Sequence, residues 1–175
     1  MMGSSKKQHA DVKKDFEELY NQNFARVNRY LRYRVINTWD ADDLTTLVFV
    51  KALEKFETFR GESSFSSWVL CIAHNVYVDY IRKSREVATP DERMYQQEAV
   101  DGIPEEQMLL NEEVEELRAL MNELPLDYRD VMALRYAGEL RFKQIGEVLG
   151  KTEVAVRMIH HRAVKILRGN MKKYG

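Results

Sequence analysis

Apolar side chains recur along this chain at helical spacing, and strand-like alternation is absent throughout. Phe16, Leu19, Tyr20, Phe24, Val27, Leu31 and Val35 fall on one face of a first helix, which Asn37-Thr38 breaks. Asp40, Asp42 and Asp43 suit the cap and acidic first turn of a second helix, whose apolar face is Leu44, Leu47, Val48 and Phe56. Gly61-Glu62-Ser63-Ser64 reads as a loop, with Ser63 or Ser64 as N-cap of a third helix. That helix carries Phe65, Trp68, Val69, Ile72, Ala73, Val76 and Tyr80 and ends in Arg82-Lys83-Ser84-Arg85.

From Glu86 to Ile103 no period persists, and Pro90, Gly102 and Pro104 punctuate a stretch that reads as linker. Pro104 opens a further helix in the position proline tolerates, and Leu110, Val114, Leu117, Met121 and Leu124 predict its buried stripe. Leu124-Pro125 starts another, carrying Val131, Leu134 and Tyr136 and stopping at Gly138. Arg141–Leu149 and roughly Glu153–Met171 follow, with Gly150 between them. The expectation is an all-α chain of two small helical domains, residues 1–85 and 104–175, joined by a flexible acidic linker, 86–103.

Charge sharpens that division. The 175 residues carry 27 Lys and Arg against 28 Asp and Glu. Residues 1–85 hold 14 basic and 11 acidic side chains, 86–116 hold one and 11, and 117–175 hold 12 and 6. Two mildly basic modules on either side of an acidic segment suggest a polyanionic partner, although a solvated linker and a charged surface give the same arithmetic. A hydrophobic content of 45% is enough for a core. No apolar run reaches membrane-spanning length, so no membrane insertion is expected. The single Cys71 and the lack of a signal peptide predict a reducing, cytoplasmic setting.

The segment 142–160 is the most diagnostic. Ile145 and Leu149 face inward, Gly146 is small where two helices approach, and Gly150 sits where the chain must turn with positive φ. Thr152 can cap the next helix, which Val156 and Ile159 anchor. This is the spacing of a helix-turn-helix, whose second helix lies in the DNA major groove. Arg157, Arg162, Lys165 and Arg168 lie on it, and from Val154 onward there are six Lys or Arg and no acid. In the first block Phe56, Phe59, Phe65, Trp68, Tyr77 and Tyr80 interleave with Arg60, Arg82, Lys83 and Arg85. Aromatic faces with cations hold single-stranded nucleic acid, although aromatics at this spacing also build cores.

Several segments in order resemble one known family. Asp40-Ala41-Asp42-Asp43-Leu44, Phe49-Val50-Lys51-Ala52, Phe59-Arg60-Gly61-Glu62-Ser63-Ser64-Phe65-Ser66-Ser67-Trp68, Ile72-Ala73-His74-Asn75 and Asp79-Tyr80-Ile81-Arg82-Lys83 resemble the second conserved region of extracytoplasmic-function (group IV) sigma factors. Leu124-Pro125-Leu126-Asp127-Tyr128-Arg129, Leu134-Arg135-Tyr136, Ile145-Gly146-Glu147-Val148-Leu149-Gly150, Val156-Arg157 and Arg162-Ala163 resemble their fourth region. The likeness runs from about Phe16 to Leu167.

The resemblance implies a promoter-specificity subunit of bacterial RNA polymerase, needing no cofactor and supplying no catalysis of its own. It implies docking on the core enzyme (β′ and β subunits) through Asp40, Asp42, Asp43, Thr46 and Leu47. Lys51, Phe59, Arg60, Ser64, Phe65, Trp68, Asn75, Arg82 and Lys83 match positions near the melted −10 strand, with a flipped base in a pocket formed by the loop 60–64 and hydrogen-bonded by Asn75. Thr152, Arg157, Met158, His161, Arg162 and Lys165 match the −35 reading helix. An anti-sigma factor that sequesters both domains is a further implied partner. Two departures stand out: Thr46-Leu47 replaces the usual Gln-Glu, and Val154–His160 replaces Gly-Thr-Val-Lys-Ser-Arg-Leu.

Other chemistry has little support. Asp40, Asp42 and Asp43 lack the glycine and the bidentate glutamate of a cation loop. His160 and His161, adjacent on a helix, diverge by about 100° and cannot easily face one metal. Cys71 reads as a small core residue. No P-loop, HExxH or G-x-S-x-G motif is present. The rival readings are a dimeric helix-turn-helix regulator acting without polymerase, and a DNA-modifying enzyme for which no acid/base or metal cluster is visible.

Overall fold

The computed structural model describes residues 3–35, 37–87 and 116–174, with side chains for 15–35, 37–86 and 116–171. The helices are α1 (Gly3–Arg34), α2 (Thr38–Glu54), α3 (Phe65–Val87), α4 (116–122), α5 (Leu126–Met132, continuing as a π-helical turn, Ala133–Ala137), α6 (Phe142–Leu149) and α7 (Glu153–Tyr174). No strand occurs among the described residues. The linker 88–103, the helix start at Pro104, and Leu110 and Val114 lie outside the described residues; α3 runs two residues past the expected boundary at 85.

Helices α1, α2 and α3 form one group around Val27, Tyr30, Leu31, Leu44, Val48, Phe65, Val69, Leu70 and Ala73. The aspartates do not cap α2. Asn37 does: it adopts extended backbone and its side-chain oxygen accepts from Trp39 N–H at 2.9 Å, so the helix begins at Thr38. Its buried face is Ala41, Leu44, Thr45, Val48, Phe49 and Ala52. Leu47 turns outward, and Phe56 sits beyond the helix in a short 3-10 turn, Phe56–Thr58. Ser64 caps α3, its hydroxyl accepting from Ser67 N–H at 3.2 Å.

The second group packs α4 to α7. Met121 and Leu124 are buried with Met132 and Ala163, while Leu117, expected on the buried stripe, is exposed, as is Tyr136 of the following helix. Gly150 turns the chain between α6 and α7 with φ 64°. A Cβ at Gly146 would lie 2.4 Å from the Lys151 carbonyl oxygen, so the glycine admits that turn.

The two groups are packed on each other. Val131, Leu134, Ala137, Leu140, Ile145 and Val156 continue the same core that fills α1–α3, and Tyr33 also touches the second cluster. Polar contacts stitch the seam. Arg29 Nε donates to Ala137 O at 2.9 Å, Glu139 pairs with Arg26 (3.5 Å) and Arg29 (2.8 Å), and Gln144 Nε2 donates to Ser64 Oγ at 3.0 Å. Deeper in, Arg34 pairs with Asp130, while the Tyr30 hydroxyl and His74 Nδ1 lie 3.2 Å apart. Burial pushes the Tyr30 phenol up and the His74 imidazole down, so both stay neutral beside that ion pair.

Candidate nucleic-acid interface

The first face lies on α3 and the turn before it. Phe56 and Phe16 back an aromatic group in which Phe59 lies 5.2 Å from Trp68 and 5.6 Å, edge-on, from Phe65. Phe65 itself is 6% exposed and belongs to the core, whereas Phe59 and Trp68 are half-buried and present ring surface. Arg60 is exposed beside them. Seven-residue spacing puts Trp68, Asn75 and Arg82 on one side of α3, two turns apart each time. Asn75 is exposed and its amide reaches only Cys71 Sγ, at 4.0 Å, a weak acceptor. Arg82 pairs with Asp79 at 3.1 Å in the open, Lys83 is exposed, and Lys51 is half-buried on α2. Ser64, committed to capping α3 and to Gln144, has its hydroxyl engaged. Burial holds the Cys71 thiol protonated.

The second face is α7. Thr152 Oγ1 accepts from Ala155 N–H at 3.2 Å, capping the helix. Val156 and Ala163 are fully buried and Ile159 packs inward, which turns Val154, Arg157, Met158, His161 and Arg162 outward together around a shallow depression. Val154, 68% exposed, was not anticipated; its i, i+4 spacing to Met158 was the available signal. Lys165 and Arg168 extend the same basic side. The two histidines part as their adjacency requires. His160 Nε2 lies 2.9 Å from the Tyr136 hydroxyl and its ring packs on Tyr136 and Phe142, whereas His161 faces out. Partial burial, with Arg135 and His161 nearby, lowers the His160 pKa. Arg157 is held over Phe142, 4.8 Å from the ring centroid, and by Glu153 at 2.6 Å.

A third surface is apolar. Trp39 (78% exposed), Val50 and Leu53 join Leu47 in a second stripe on α2, opposite the one that faces the core. Asp43 and Thr46 lie exposed on it. The stripe was missed because the eye follows one period, and here two apolar stripes share a helix. Asp40 and Asp42 are tied up in the fold: Asp40 accepts from the Tyr80 hydroxyl at 2.7 Å, and Asp42 from Asn28 at 2.8 Å and from Arg32 at 3.1 Å. Burial and Asp40 push the Tyr80 phenol up to about 12, and the bonds from Asn28 and Arg32 hold the Asp42 carboxyl below its usual range. No helix among the described residues is long and apolar enough to cross a membrane, and none of their His, Cys, Asp and Glu side chains gather in a group able to hold a metal.

Comparison with known proteins places these surfaces in a family context. Residues 19–87 match the Sigma-70 region 2 model and residues 114–167 the Sigma-70, region 4 model. The chain is 32% identical over 161 residues to RNA polymerase sigma factor YlaC of Bacillus subtilis, covering 90% of this chain and 92% of that protein. It is 30% identical over 177 residues to ECF RNA polymerase sigma factor SigW of the same organism, covering 95% and 92%. Among solved structures it resembles CnrH in complex with the cytosolic domain of CnrY (TM-score 0.69, 18% identity, covering 93% of this chain and 91% of that one). It also resembles the sigma factor RpoE in complex with the anti-sigma factor NepR from Bartonella quintana (TM-score 0.70, 19%, 91% and 98%). At those identities the likeness is one of fold.

Proposed function

The chain belongs to the extracytoplasmic-function sigma factors, and on that premise we propose which surfaces perform each part of initiation. A sigma factor gives core RNA polymerase its promoter specificity, while phosphodiester synthesis belongs to the polymerase. We assign residues 1–85 to core and −10 binding and 104–175 to −35 binding. The work takes place where the polymerase works, in the cytoplasm.

The exposed stripe of α2, with Trp39, Asp43, Thr46, Leu47, Val50 and Leu53, docks on the core enzyme. An apolar stripe of this length facing water needs a partner surface, and Thr46-Leu47 makes that contact more apolar than a Gln-Glu pair would. Asp40 and Asp42 contribute by fastening α2 to α3 and α1. On the first face, Phe59 and Trp68 offer stacking surface to unpaired bases, Asn75 offers both a donor and an acceptor to a base edge, and Lys51, Arg60, Arg82 and Lys83 follow the backbone. Phe65 supports the two rings from behind, and Ser64 shapes the loop 60–64. On α7, Arg157, His161, Arg162 and Lys165 reach phosphates or base edges, Met158 and Val154 touch thymine methyls or sugars, and Thr152 fixes the helix start.

The observation that carries this reading is the presence, in one chain and in this order, of an aromatic-cationic face and a groove-reading helix. A repressor acting alone has no use for the first face or for the α2 stripe. Elements near −10 and −35 lie about 25 bp, or about 85 Å, apart on B-form DNA. A packed chain of this length is about 40 Å across. The seam between the two groups must therefore open for both elements to be held at once. An anti-sigma factor that grips both groups in the packed state would block initiation, and we propose such a partner. The reading is tested by mixing the chain with core polymerase and a promoter duplex: permanganate reactivity of −10 thymines should appear only with all three present, and its failure to appear on any promoter would reject the assignment.

A further inference from the structure

The Arg157 side chain on α7 is held both by its own helix and by the one before it. Its Nε and Nη2 donate to a single oxygen of Glu153, one turn earlier, at 3.0 and 2.6 Å. Its guanidinium also lies over the Phe142 ring at the start of α6, 4.8 Å from the centroid. That ring is fixed in turn. The Arg135 guanidinium lies 4.9 Å from the same centroid and donates to Leu140 O at 3.0 Å. The His160 ring packs 5.1 Å away, with its Nε2 2.9 Å from the Tyr136 hydroxyl. Phe142 is half-buried, yet 58% of the Arg157 side chain stays exposed. An exposed i, i+4 ion pair alone restrains a side chain weakly. Backed by a ring from a second helix, it fixes the plane of the guanidinium as well as its charge.

We propose that Glu153 and Phe142 are positioning residues that preset Arg157 to read a guanine of the −35 element. This rests on the assignment of α7 to that element and gives it a base. Arg157 lies one turn in from the start of α7, where a groove-reading helix meets base edges. An arginine offers donors only. With its Nε–Nη2 edge taken by Glu153, the Nη1–Nη2 edge is the fork left for DNA. Guanine presents two acceptors to such a fork, O6 and N7, whereas adenine presents one acceptor and one donor. A phosphate accepts from any edge in any orientation and so needs no preset, and the Glu153 carboxylate would repel it. A free arginine meets a mismatch by swinging to a phosphate or a neighbouring base. A held one cannot, so the restraint raises discrimination as well as affinity.

The probe is a promoter that the full chain and core polymerase transcribe, with its −35 region randomised and the transcripts sequenced for base preference at each position. The wild type should favour guanine at least about fivefold at one position, the discrimination of one bidentate pair. Arg157→Ala should bring that preference to about one and leave the other positions as they were. Glu153→Ala and Phe142→Leu should each reduce it at least about twofold at the same position, and neither should change it further in an Arg157→Ala background. Glu153→Gln removes the same charge as Glu153→Ala but keeps an acceptor, so it should retain more of the preference. A role in helix stability or in charge alone would shift yield on all sequences alike. Removing the cation lowers the salt slope for a base or a phosphate contact, so base preference is the readout that separates them. Circular dichroism should show each variant folded. Guanine preference that persists in Arg157→Ala, or that Glu153→Ala or Phe142→Leu leaves unchanged, would overturn the proposal while α7 remained the −35 helix. No base preference at any −35 position in the wild type would reject the assignment of α7 itself, and the proposal with it.

Discussion

The Arg34 guanidinium at the end of α1 is bonded to the Asp130 carboxylate of α5, 96 residues later, with only 4% and 13% of the two side chains exposed. Tyr77 stacks on the same guanidinium, its ring centroid 4.2 Å away. A buried charge is tolerated only with its partner, so the pair ties the two helical groups to one arrangement. Asp130→Ala should cost about 3–5 kcal/mol, and the double variant Arg34→Met, Asp130→Leu should recover most of it. Urea midpoints of wild type, single and double variants test this. A single variant as stable as wild type would show that the pair does not hold the seam.

Asn75 stands exposed between Trp68 and Arg82 on one side of α3. Asn75→Ala should lower the yield of open complex about tenfold, the loss of one base-edge pair, while leaving affinity for core polymerase unchanged. Equal open-complex yields would remove Asn75 from the −10 contact.

On α7, Arg157→Ala and Arg162→Ala should each weaken initiation from promoters that have a −35 element and reduce its salt slope by about one. Promoters lacking that element should respond little. An unchanged slope in both variants would take the helix out of the DNA.

The α2 stripe makes a separate prediction. Val50→Asp puts a charge on an already exposed position, so the fold should be spared. Association with core polymerase should fall at least about tenfold, as expected for a charge introduced into a desolvated contact. Undiminished co-migration with the core enzyme would place the docking surface elsewhere.

His74 gives the pH dependence. Its imidazole is held neutral by burial, with Arg34 acting the same way and Asp130 against it, and the Tyr30 hydroxyl faces its Nδ1. The folded pKa is therefore below the unfolded value of about 6.5, and the unfolded chain takes up the proton first as the pH falls. Stability should be complete above about pH 7 and decline from about pH 6.5 downward, until the folded pKa is reached. Urea midpoints should be lower at pH 5.5 than at pH 7.5, with a smaller difference in His74→Gln. Identical pH dependence in the two proteins would assign the effect to other groups.

Much of this was legible in the sequence because short-range physics dictated it. The caps at Ser64 and Thr152, the left-handed turn at Gly150 and the inward anchors Val156 and Ile159 each follow from residues within one or two turns. The start of α2 was misplaced because three aspartates outweighed one asparagine, although Asn37 makes the bond. Phe65 showed the ambiguity of aromatic spacing: ring count does not say which ring is buried. The seam was invisible for a different reason. Arg34–Asp130 and Glu139 with Arg26 and Arg29 join residues about a hundred positions apart, and no periodicity reports on such pairs.

The central claim is that this chain supplies promoter specificity to RNA polymerase. Purified chain should be combined with core polymerase lacking any other sigma factor and a fragment library of genomic DNA, and the 5′ ends of the transcripts sequenced. The account predicts a small set of start sites sharing two upstream elements, absent without the chain. Transcripts that are the same with and without it, or none at all, would contradict the account.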